Sequence, residues 1–194
     1  MSDRNDIIMG KWLNDKVIDA ASRLIHQQFG IPDMETSLLS QTGGFTTTSF
    51  QSLQIHHDFQ REHWVTSSAL RHRVELADSL ASGCNITECL RKQLVQRYNL
   101  LSVDGMLHVY VLPVMQQLNG SDCGVFAIAN AVEFVAKDGC PTALYEVDMM
   151  REHLLQMLQS GRIISFPKRR ATRKSNRQQH KPTVVVIKCD VTGT

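Results

Sequence analysis

No apolar run in this 194-residue chain approaches the ~20 residues needed to cross a bilayer, so no transmembrane helix is expected. The first residues, Met1-Ser2-Asp3-Arg4-Asn5-Asp6, are polar and lead into no long apolar stretch, which leaves no secretory leader visible. A disulfide framework is missing too. The five cysteines, Cys84, Cys89, Cys123, Cys140 and Cys189, are odd in number and irregularly spaced, which fits free thiols in a reducing compartment, nucleus or cytoplasm. Cys84 and Cys89 have no second close pair to complete a tetrahedral metal site, so no metal and no cofactor are expected. Repeats are absent. What remains is an ordinary soluble globular composition, 42% hydrophobic and 21% charged, of a size that normally forms one domain, expected as a monomer.

The net charge of +2 conceals an asymmetry. Seven of the 21 Lys and Arg residues lie in one acid-free stretch, at Lys168, Arg169, Arg170, Arg173, Lys174, Arg177 and Lys181, leaving 14 against 19 acidic groups elsewhere. A packed body over residues 1–167 and a basic, disordered tail over 168–194 are therefore expected. The Lys168-Arg169-Arg170 cluster suits nuclear import or weak nucleic-acid contact through phosphates, and equally a solvated tail with no partner. The closing run Thr183–Ile187 is β-prone and is either an edge strand or a disordered end.

Apolar residues recur at helical spacing from Leu13 to Phe29, with Asn14 or Asp15 as cap and Gly30 as stop. The polar stretch from Pro32 to Ser49 reads as a loop with one helical turn. Strands are predicted at Ser52–His57, His63–Ser68, Arg73–Asp78 and Met106–Val114, and a helix at Ile86–Tyr98 capped by Asn85. An almost wholly apolar helix opens at Cys123, and a last helix runs from Leu144 to Leu158. The fold class is α+β, with a small, mostly antiparallel sheet around a central buried helix.

The start of that buried helix carries the chemistry. A thiol at a helix N-terminus feels the positive end of the dipole, and Cys123 is so placed. Gly124 removes bulk beside the sulfur and leaves backbone N–H groups accessible to an oxyanion. The competing reading is a small buried thiol that merely opens a core helix. His63 opens a strand, is followed by Trp64, and is preferred as base over His56 and His57, which alternate on the preceding strand. Asp78 closes the next strand, where a carboxylate could orient the imidazole or simply end a strand in a turn. Gln117 and Gln116 both lie in the loop feeding Cys123, and either amide could donate to an oxyanion without adding a titrating charge.

These residues resemble a known family. Gln116 through Gly124, Gln-Gln-Leu-Asn-Gly-Ser-Asp-Cys-Gly, is similar to the nucleophile motif of the ubiquitin-like-protein proteases, which include SUMO proteases and deneddylases. Trp12-Leu13-Asn14-Asp15, His63-Trp64 and Asp78-Ser79 resemble three further motifs of that family, in matching order. The resemblance implies a papain-like fold and cleavage of peptide or isopeptide bonds after a Gly-Gly terminus. It selects Gln117 for the oxyanion and makes Trp12 and Trp64 the cover of a narrow diglycine channel. Asp15 and Gly124 join them as substrate-binding positions. The implied partner is a ubiquitin-like modifier, SUMO or NEDD8, or its conjugates. Two departures bear on the substrate: the segment from Gly30 to His56 is short, and Leu76-Ala77 replaces the aromatic often found before the acid. A polyprotein-processing protease of a virus or mobile element, a non-catalytic binding module and an acyltransferase are the alternatives.

Overall fold

The computed structural model describes residues 2–32, 34–80, 86–169 and 181–189. Helix α1 (Ser2–Ile8) is followed by α2 (Asp15–Phe29) and a single turn, α3 (Leu39–Thr42). Strands β1 (Leu53–Asp58), β2 (His63–Ser68) and β3 (Val74–Ala77) come next, then α4 (Glu88–Tyr98) and β4 (Met106–Val111). Helices α5 (Cys123–Val135) and α6 (Val147–Ser160) precede the last strand, β5 (Thr183–Lys188). The five strands form one sheet in sequence order. Only the β3–β4 pair is parallel, because α4 carries the chain back to start β4 in the same direction.

Side chains alternate across this sheet and feed two cores. Leu53, Ile55, Trp64 and Ala77 face α5, whose Val125, Phe126, Ile128, Ala129 and Val132 are buried almost all round. Val65, Leu76, Leu107, Val109 and Ile187 face the other way, against Leu90, Leu94 and Tyr98 of α4. The central helix is thus enclosed by the sheet on one side and by α2 and α6 on the others. No helix among the described residues is long and apolar enough to cross a membrane.

Local signals set most boundaries. Asn14 caps α2 by accepting the Val17 N–H at 3.1 Å, and Gly30 closes it in the left-handed region at φ +63°. The expected cap Asn85 of α4 lies outside the described residues. The cap is instead Thr87, whose hydroxyl accepts the Leu90 N–H at 3.2 Å. Helix α1 is an addition to the expected elements: it is short and polar, and Ile7 alone is its buried apolar anchor. At the other end the packed body continues past Pro167. Lys168 pairs with the buried Glu133 at 2.7 Å, Arg169 with Glu146 at 3.3 Å, and β5 joins β4 in a six-residue antiparallel ladder. The open alternative for Thr183–Ile187 resolves to an edge strand.

Candidate active site

Continuing the β2–β3 register past Thr66↔Ala77 sets Asp78 diagonally across from His63 on the same face. His63 Nε2 lies 2.7 Å from Asp78 Oδ1, with both side chains almost completely buried. The thiol of Cys123 stands close enough to the ring to act on its protonation. Burial is the largest influence on His63 and opposes its protonation. The hydrogen bonds and charges of Asp78 and Cys123 outweigh it and raise the imidazole to about 9. For Asp78 burial pushes upward, but His63, Arg61 and the Leu80 N–H together hold it below the usual carboxylate range.

Cys123 is the first residue of α5, following Asp122 at the cap position. The first intrahelical bond is Phe126 N–H to Asp122 O at 2.9 Å, so the amides of Cys123 and Gly124 have no acceptor within the helix. A Cβ on Gly124 would lie 3.0 Å from Leu13 Cβ and 3.3 Å from Ile18 Cδ1. The missing side chain therefore lets α5 approach the start of α2. That approach matters, since Leu13 O accepts the Trp64 indole N–H at 3.0 Å.

The loop before Cys123 is held from three sides. Gln117 accepts the Ser79 hydroxyl at 2.8 Å and gives one amide hydrogen to Asn119 O at 2.6 Å, leaving the second available. Gln116 spends its amide on the carbonyls of Asp78 and Val114 at 3.1 and 3.0 Å. Asn119 binds the Asp122 carboxylate, and Arg151 of α6 holds both that carboxylate, at 2.7 Å, and Ser121 O, at 3.0 Å. The same guanidinium donates to Ile7 O at 3.0 Å, tying α1 to the loop.

A cleft of about 520 Å³ opens onto Cys123, walled by Trp12, Asp15, His57, Phe59, Glu62 and Trp64. Trp12 is 53% exposed and Trp64 only 7%. His57 packs against Phe59 and Trp64, each with ring centroids 4.5 Å away. His56 faces the opposite side, fully buried between Gln93 and Ser67, and burial drops its pKa to about 3. A second cavity of about 410 Å³ among α1, α2 and α6 holds none of the candidate site residues. Among the described residues no group of three His, Cys, Asp or Glu side chains could hold a metal ion. The sequence expectations leave out Phe59 in the cleft, Arg61 at the acid and Arg151 at the loop, and weigh His57 only as a rival base. The aromatic run around His57 was the one local signal for any of them.

A thiol, an imidazole and a carboxylate brought together beside spare amides at a helix start are the groups that a cysteine protease uses. A family model described as the Ulp1 protease family, C-terminal catalytic domain, matches residues 44–159, and the chain belongs to that family. Solved structures share the fold. The SUMO protease Ulp1 with its catalytic cysteine oxidised to a sulfenic acid is 20% identical, with a TM-score of 0.60 over 81% of this chain and 82% of that one. The Ulp1 protease domain in complex with Smt3, the yeast ortholog of SUMO, is 19% identical at a TM-score of 0.56, covering 82% of each chain. The Ulp1-like SUMO protease catalytic domain of Chaetomium thermophilum is 22% identical at 0.53, over 79% and 74%. A search of curated proteins finds no match.

Proposed function

We propose that this chain removes a ubiquitin-like modifier of the SUMO type by cleaving the peptide or isopeptide bond after its terminal Gly-Gly. The observation that carries this reading is the His63–Asp78 pair at 2.7 Å, with Cys123 close to the same imidazole at a tryptophan-walled cleft. With His63 protonated, the sulfur acts as a thiolate beside an imidazolium. Its attack on the glycine carbonyl forms the S–C bond and places negative charge on oxygen. The free N–H of Gln117 and the amide of Cys123 receive that charge. His63 then gives its proton to the departing amine as the C–N bond breaks. Water, deprotonated by His63, attacks the thioester, and the S–C bond breaks to return the thiolate beside the protonated His63. Asp78 keeps the ring oriented throughout. Trp12 and Trp64 flank the segment entering the cleft, where glycine alone passes without a β-carbon.

The four free thiols among the described residues suit a reducing compartment, nucleus or cytoplasm. Modifiers carrying a C-terminal electrophile test the reading. Covalent labelling of Cys123 by the SUMO probe, lost in Cys123→Ser, is expected. Labelling by the NEDD8 probe instead would change the substrate, and failure with SUMO, NEDD8 and ubiquitin probes would overturn the proposal.

A further inference from the structure

Asp78 has two carboxylate oxygens, and only one of them serves His63. Oδ1 accepts from His63 Nε2 at 2.7 Å and from the Leu80 N–H at 2.8 Å. Oδ2 accepts from Arg61 Nη2 at 2.8 Å. The same guanidinium donates through Nε to Asp58 Oδ2 at 2.7 Å. Asp58 is itself fully buried, and its Oδ1 accepts the Thr87 hydroxyl at 2.9 Å and the Gln60 N–H at 3.2 Å. A continuous chain of charge-assisted bonds thus runs from the cap of α4, through the β1–β2 turn, to the acid and the imidazole.

We propose that Arg61, braced by Asp58, is a positioning residue for the catalytic acid, fixing the plane of the Asp78 carboxylate so that Oδ1 stays aligned with His63. This rests on the reading of Cys123, His63 and Asp78 as the reacting set. A carboxylate held at one oxygen can pivot about its Cβ–Cγ bond, and each pivot misaligns the imidazole by a fraction of an ångström. A guanidinium is a rigid planar fork, so anchoring one arm on Asp58 fixes the direction of the other. An exposed Arg–Asp pair serving a turn alone would contribute little. Two features separate this arrangement from such a pair. The Arg61 side chain is only 23% exposed, and its second arm leaves the turn to reach the residue that follows β3. A buried carboxylate also needs more than one partner to stay charged, and Arg61 supplies a cationic one that does not take part in proton transfer.

The experiment uses the full chain with Arg61→Gln, Arg61→Lys, Asp58→Asn and the Asp58→Asn/Arg61→Gln double variant. Three quantities are read: kcat and KM on a SUMO C-terminal fluorogenic conjugate, the thermal midpoint, and the downfield proton resonance of the His63 Nε2–H. Arg61→Gln is expected to lower kcat about tenfold with KM within about twofold, as loss of one charge-assisted bond predicts. The His63 proton broadens in the same variant. Lysine restores part of kcat, since an ammonium keeps the charge and loses the fork. The double variant is no worse than Arg61→Gln alone, because Asp58 acts through Arg61. Unchanged kcat with a sharp His63 resonance in Arg61→Gln overturns the proposal. So does a loss of rate that merely follows the thermal midpoint. Should the wild-type chain turn over no SUMO conjugate, the proposed function fails separately. The His63 resonance and the iodoacetamide alkylation rate of Cys123 then still decide whether Arg61 aligns the pair.

Discussion

His63 offers the most direct measurement. In the unfolded chain its imidazole titrates at the ordinary 6.5, and in the folded chain at about 9. Burial alone would move it the other way, so the whole rise and more comes from Asp78 and Cys123. The difference corresponds to about 3 kcal/mol favouring the imidazolium in the native state. A folded-state pKa above the unfolded value fixes the sign. This stabilisation is fully present below pH 6.5, shrinks as pH rises beyond that, and is gone above about 9. Activity should share the upper limit, because the leaving amine needs the proton that His63 then lacks. Asp78→Asn removes the leading cause of the rise, so the His63 midpoint should fall well below 9, and further than in Cys123→Ala. Imidazole carbon NMR titration of the three chains reads this directly. Urea unfolding at pH 6 and pH 10 should show the stability gap between wild type and Asp78→Asn narrowing at the higher pH. A wild-type midpoint at or below 6.5, or one near 9 that survives Asp78→Asn, would refute the reasoning.

Three further outcomes follow from the packing. Gly124→Ala forces a methyl against Leu13 and Ile18 at 3.0–3.3 Å, so it should cost about 1–3 kcal/mol, seen as a lower thermal midpoint. Its loss of kcat/KM should exceed what that midpoint explains, because Leu13 also holds Trp64. Arg151→Gln frees Asp122, Ser121 and Ile7 together, and steady-state kinetics should show kcat falling about tenfold or more with KM little changed. Ending the chain after Arg169 removes β5 and its buried Ile187, which should lower stability by about 1.5–3 kcal/mol in chemical denaturation. Light scattering should show association through the bared edge of β4.

Helix α5 was legible in the sequence because an unbroken apolar run admits few other placements, and the thiol at its start came with it. The His63–Asp78 contact was legible for a similar reason: two short strands joined by a tight turn must pair, and both residues stand at strand ends. Other features leave no such trace. Arg61 and Arg151 look like surface cations in a one-dimensional reading, and only the folded chain shows each guanidinium satisfying several acceptors drawn from distant segments. Gly124 is expected to make room beside the sulfur, and the structure adds a second role, since its absent Cβ also makes room for Leu13. The pairing of β5 with β4 joins residues far apart in the chain, so no local pattern could select it.

That last strand changes what kind of segment the basic run is. Lys168 and Arg169 are fastened to Glu133 and Glu146, and Thr183 opens a ladder on β4, so the body holds the chain on both sides of the basic run. β5 is outermost in the sheet, and β4 is its sole ladder partner among the described residues. Covalent connection keeps such a strand at a high effective concentration over its seat. A single cut between Arg169 and Thr183 would convert that seat into a bimolecular docking site for the fragment that carries the six-residue strand. The intact chain is indifferent to dilution; the nicked one would shed its strand on dilution and regain it when the fragment is supplied in trans.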